Sequence, residues 1–276
     1  MSFSEDLILE ALKQNILPLW NAFSFFTTYA NIDWRKPQLR HSELVEESHA
    51  TIKDTSTPLR SAQYDAAYSI NRLDTWILGE LQKVTEIIDH DLSHYDITHA
   101  SRQIADFLEN LTNRYIRRSR RRFWKSESDE DKNHAYNTLY TVLVNFSLVI
   151  SPFMPFISEY IWRALTGDDI ANSVHLQNFP SDTNSQFTIH NSQLSTDMWY
   201  AQQIVRMWLA ARSKKNIRVR QPLQSLTLGV LLDQYYLDII ADELNIKQVI
   251  CEGGINDRVM KICKPDGKIV GSLFDD

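Results

Sequence analysis

Between residues 73 and 165 the apolar side chains recur every three or four positions, and this periodicity leaves little freedom over what the chain can fold into. Leu73, Trp76, Ile77, Leu81, Val84 and Ile88 share one face of a helix expected over 73–89. Ile104, Phe107, Leu108, Leu111 and Tyr115 share a face of the next, with Asp96 or Thr98 placed to cap its start. A long apolar helix is expected over 131–150. Ser151-Pro152 and Met154-Pro155 interrupt it, and a final helix over 155–165 stops at Gly167. Upstream, Leu9, Leu12, Ile16, Leu19, Phe23 and Phe26 form a stripe along a helix expected over 4–30, with Ser2 and Glu5 at capping-box spacing and Pro18 expected to kink it. About five helices with short connections make a bundle. The stretch 37–64 is polar, mixed in charge and weakly periodic. It reads as an inserted loop with at most a short helix near 42–48.

The pattern changes after residue 180. Residues 181–195 are rich in Ser, Thr and Asn and read as a linker. A helix over 197–212 follows, then a strand over 225–232, a helix over 235–244, a strand over 247–252, a turn at Gly253-Gly254 and a third strand over 259–264. The expectation is a mainly α chain: a helical bundle over 1–180, the linker, and a small, truncated α+β unit over 196–276 with no obvious closing element.

Charge points to a site. The chain carries a formal net charge of -6, yet residues 114–125 hold Arg114, Arg117, Arg118, Arg120, Arg121, Arg122 and Lys125 and no acid. Phe123 and Trp124 stand beside these cations, so the segment combines phosphate-binding charge with faces on which unpaired bases stack. At about 100° per residue, Arg118 and Arg122 continue the apolar face that ends at Tyr115, and Arg114, Arg117 and Arg121 cover the flank. A stripe that turns from apolar to Arg describes a helix that has run out of core, projecting from the bundle or lining an anion groove. The simpler alternative is a solvated helix end whose cations offset the macrodipole, and an acidic protein partner is a third. A second acid-free stretch, 212–220, offers Lys214, Lys215, Arg218 and Arg220 and makes a two-part RNA surface the favoured expectation.

Other chemistries find little support. Seven glycines and the absence of GxGxxG and GxxxxGK[ST] patterns disfavour a phosphate loop. Cys251 and Cys263 cannot form a zinc ribbon and are expected as free thiols. His90 and His94 have the spacing of two ligands on one helix face, but Asp91-Leu92-Ser93 supplies no HExxH glutamate. Capping or surface histidines are the expectation, with no metal site. No signal peptide or apolar run of spanning length is present, so the chain is expected to be soluble, cytoplasmic and unconnected to a membrane.

Several segments together resemble isoleucyl-tRNA synthetases. Residues 16–33 (ILPLWNAFSFFTTYANID) resemble the segment after that family's catalytic domain, and Leu73-Asp74-Thr75-Trp76-Ile77-Leu78 is similar to its LDRWIL. Residues 114–125 resemble (W/R)YIRRxRRRFWK, and 151–156 with Glu159 and Ile161-Trp162 resemble SPFxPFxxExIW. Ser173-Val174-His175-Leu176 with Pro180 is similar to SVHLxxxP, residues 218–223 to (K/R)VRQPL and 243–247 to ELNVK. Valyl and leucyl relatives share LDxWIL, whereas the combination of ANID, RRxRRRFW, RQPL and ELNxK points to the isoleucyl branch. The resemblance implies an anticodon-binding bundle plus the start of the following domain. It also implies tRNA, isoleucine isoacceptors first, as the partner, with a catalytic domain elsewhere. That family's HIGH and KMSKS signatures do not occur in this sequence. No cofactor is therefore expected in this chain and it is expected to be catalytically inactive alone. ATP and magnesium belong to the full-length enzyme.

Overall fold

A proline inside a helix has no N–H for the residue four back, and its ring crowds that carbonyl. In the computed structural model, which describes residues 4–34, 71–124, 129–167, 172–180, 192–251, 261–263 and 269–272, the chain meets Pro18 with a widened turn. Helix α1 (Glu5–Ala11) passes through a π turn (Leu12–Ile16) into α2 (Leu17–Asp33), with Pro18 in its first turn, where no donor is needed. The expected kink thus takes the form of a π turn within a continuous right-handed path. Among the side chains described, burial begins at Leu19 and continues through Ala22, Phe23, Phe26 and Ala30, while Leu9 and Ile16 of the expected stripe are exposed.

Helix α3 (Arg72–Ser93) is capped by Asn71, whose side chain accepts from the Leu73 amide at 3.0 Å. It buries all six apolar residues of its expected stripe. Helix α4 (Ile97–Glu109) is capped by Asp96, which accepts from the His99 amide at 2.9 Å. Through a second π turn (Asn110–Ile116) it runs into α5 (Arg117–Trp124). This turn matters for the basic segment. A π turn holds one residue more than an α turn, so it advances the inward face by one position. The buried series is accordingly Leu111, Tyr115, Ser119 and Phe123, not a continuation through Arg118 and Arg122.

Helix α6 (Asp129–Ile150) opens on three acids that favour its N-terminus and is buried on almost every side beyond Ala135, which makes it the central helix. Helix α7 (Pro155–Thr166) ends at Gly167, whose φ of 124° suits glycine alone. Glu159 of α7 accepts from the Val174 amide and the Ser173 hydroxyl, both at 2.9 Å, and so pins the short 3-10 turn Val174–Leu176. Burial raises the pKa of Glu159, but the Val174 and Ser173 bonds and the Arg163 charge outweigh it and hold the carboxyl below its usual range.

Two units divide the chain, residues 1–190 and 191–276. In the second, α8 (Ser192–Lys214) begins inside the stretch expected as linker and is followed by β1 (Leu223–Leu228), α9 (Gln234–Leu244), β2 (Ile246–Cys251), β3 (Lys261–Cys263) and β4 (Ile269–Ser272). The sheet order is β2-β1-β3-β4: β1 and β2 run parallel across α9, and the other pairs are antiparallel. Leu223, Leu226 and Leu228 of β1 are buried. β4 is an element the sequence reading did not foresee. Ser2, the 37–64 stretch, residues 181–191 and the Gly253-Gly254 turn lie outside the described residues. Among those described, no helix is long and apolar enough to cross a membrane.

Candidate nucleic-acid interface

The structure sorts the residues of the 114–125 run into inward, engaged and outward groups. Arg122 is the clearest departure from expectation. Its Nη1 and Nη2 donate to the two carboxylate oxygens of Asp74, each at 2.8 Å, and its Nε and Nη2 reach Asp131 at 2.9 and 2.7 Å. Tyr115 adds an O–H bond of 2.7 Å to Asp74, which is only 2% exposed. Burial opposes the charge on Arg122, yet the Asp74 and Asp131 hydrogen bonds overcome it and raise its pKa above the ordinary value. Burial, and then the Asp74 charge, push the Tyr115 phenol well up. The guanidinium joins α3, α5 and α6 and is not available to a phosphate.

Phe123 is corrected likewise. It is 0% exposed, with ring centroids 5.1 Å from Phe25 and 5.0 Å from Tyr136, so it presents no face to a base. Arg114 pairs with Glu109 at 3.2 Å, and Arg117 and Arg118 also engage neighbouring groups. Arg121 is exposed, and Lys125 lies outside the described residues. Trp124 does face outward, 54% exposed. Tyr29 meets it edge-on at 6.0 Å, and the Arg120 guanidinium lies 5.8 Å from the ring centroids of both Trp124 and Phe25. Phe25 and Tyr29 were absent from the sequence-level candidates. Their signal was an i,i+4 aromatic pair off the core stripe of α2, with rings 4.9 Å apart.

The second basic stretch behaves differently. Arg212 is buried, whereas Lys214, Lys215, Arg218 and Arg220 are all exposed and form no ion pair with any described residue. The stretch that looked secondary in sequence therefore carries the larger share of uncommitted charge.

The histidines settle into a local arrangement. His90 and His94 stack at 4.3 Å, and His99 Nδ1 lies 2.6 Å from Asp91 Oδ2, a contact that lowers the Asp91 pKa. Among the described residues no three His, Cys, Asp or Glu side chains are placed to hold a metal ion.

A family model described as the anticodon-binding domain of tRNA ligase matches residues 74–227. An isoleucine–tRNA ligase of Treponema denticola is 37% identical over 279 residues, covering 98% of this chain and 24% of that protein. One from Clostridium novyi is 34% identical over 276 residues, covering 99% and 24%, and one from Dehalococcoides mccartyi is 38% identical over 260 residues, covering 91% and 23%. The chain thus spans about a quarter of the length of the curated relatives it matches. The matched span starts at the buried Asp74, ends in β1 and takes in both basic segments, and the chain belongs to the anticodon-binding domain family of tRNA ligases.

Proposed function

We propose that this chain is the tRNA-recognising part of an isoleucine–tRNA ligase, whose full-length form attaches isoleucine to tRNA with ATP in the cytoplasm. The observation that carries the reading is the set of exposed cations without ion pairs at Lys214, Lys215, Arg218 and Arg220, in a chain whose relatives are isoleucine–tRNA ligases. These cations, with Arg121, hold phosphates. Trp124, steadied by Tyr29 and Arg120, gives a stacking face to a splayed base. The partners are isoleucine tRNAs and a catalytic domain carried elsewhere in the longer enzyme. ATP and magnesium act in that domain, and no step is assigned to them in this chain.

The test is binding of the 276-residue chain to unmodified isoleucine, valine and leucine tRNA transcripts at several salt concentrations. Arg218→Ala and Arg220→Ala are each expected to weaken binding and to flatten the log–log salt dependence by about 0.7–0.9 units per lost phosphate contact. Trp124→Ala is expected to cost roughly 1–3 kcal/mol of binding and leave the salt slope nearly unchanged. A preference for the isoleucine transcript supports the assignment. Preference for another transcript points to a valyl or leucyl enzyme, equal binding of all three to a free-standing RNA-binding module, and no salt-dependent RNA binding overturns the reading.

A further inference from the structure

The loop between α8 and β1 has an unusual division of hydrogen-bonding groups. The chain leaves α8 at Lys214 and reverses at Asn216, whose φ is 54°. Beneath it lies Arg212, only 2% exposed. Its Nη1 donates to the carbonyls of Arg218 and Gln221, both at 3.1 Å, and its Nη2 to those of Gln221 and Leu244 at 3.0 and 2.5 Å. No carboxylate of a described residue pairs with this guanidinium. Asn245, the left-handed residue that ends α9 at φ 50°, donates from Nδ2 to the carbonyls of Val219 and Arg220 at 3.2 and 3.0 Å. Two side chains thereby occupy the carbonyls of four successive residues, 218–221. The amides of Arg218, Val219 and Arg220 donate to no group of a described residue, and the Arg218 and Arg220 side chains are exposed.

We propose that Arg212 and Asn245 are positioning residues that make residues 218–220 a donor-only face of the loop, built for the phosphodiester backbone of RNA. The chemistry follows from what is consumed and what is left. With the backbone acceptors of 218–221 satisfied internally, this face offers N–H groups and positive charge. A phosphate, which is anionic and accepts only, matches that inventory. A base edge, which needs donors and acceptors in a set order, does not. The loop therefore contributes affinity and docking rather than a choice among sequences. Preorganisation is the gain: carbonyls held inward cannot swing out to repel a phosphate, and the arginines start from a fixed backbone.

This inference rests on the reading that the loop cations bind RNA, and the experiment separates the two. Asn245→Gly removes the side-chain donor but keeps a residue at ease with positive φ, so a melt close to that of the unaltered chain is expected. Affinity for an isoleucine tRNA transcript should fall about three- to tenfold. A valine tRNA transcript should lose the same factor, because its phosphates are identical. In an Arg218→Ala/Arg220→Ala background Asn245→Gly should cost clearly less than in the unaltered chain, since part of its effect passes through those side chains. Arg212→Lys, a point charge that cannot span the same carbonyls, should act in the same direction with a larger loss of stability. Unchanged affinity in Asn245→Gly, an equal further loss in the double-alanine background, or a loss confined to one transcript would each overturn the proposal. If Arg218→Ala/Arg220→Ala itself binds like the unaltered chain, the loop is not an RNA site, and that reading falls along with the proposal.

Discussion

Arg122→Met is expected to destabilise the helical unit by about 3–5 kcal/mol, because it strands the Asp74 carboxylate in the interior with only the Tyr115 hydroxyl for company. For a unit of this size that is a fall in melting temperature on the order of 10 °C. Arg121→Ala, one residue away and exposed, should melt as the unaltered chain does. The diagnostic partner is Asp74→Asn in combination with Arg122→Met. Removing the stranded charge should recover part of the loss, and the two effects should be far from additive. A melt unmoved by Arg122→Met would show that the ion pairs to Asp74 and Asp131 do not hold the helices together.

Phe123→Ala should cost a similar amount, about 3–5 kcal/mol, by opening a cavity between Phe25 and Tyr136. Trp124→Ala, at the next position, should leave stability nearly intact, since its ring is 54% exposed. The two adjacent aromatics would then separate cleanly, one in thermal melts and the other in RNA binding. Equal melts for both variants would contradict the burial assigned to Phe123.

Those two pairs of neighbours show where the sequence was and was not legible. The apolar stripes of α3 and α4 are regular, and the residues they predicted as buried are buried. The stripe beyond Tyr115 is misread because periodicity assumes 3.6 residues per turn, and no local rule announces a π turn at Asn110–Ile116. One extra residue moves Phe123 inward and brings Arg122 beside α3. The carboxylate that meets it is 48 positions earlier in the chain, a separation at which pattern rules are silent. Upstream, Leu9 and Ile16 keep helical spacing but remain exposed, because spacing records a face and not what covers it. The loop at 214–220 was legible as a basic stretch. The inward orientation of Arg212 depends on the carbonyl of Leu244, 32 positions away, and on a left-handed Asn245, neither of which charge patterning reveals.

The Tyr115–Asp74–Arg122–Asp131 network has a consequence for how the bundle finds its register. Helices with leucines and isoleucines repeating at every turn can slide past one another by one turn, about 5.4 Å, and still match oily surface to oily surface. A bundle misassembled that way would part Asp74 from the Tyr115 hydroxyl and the two-pronged Arg122 contact that together satisfy its oxygens. Only the observed alignment lets Arg122 bridge Asp74 and Asp131 while Tyr115 donates to Asp74, so the network penalises assemblies that are out by a turn.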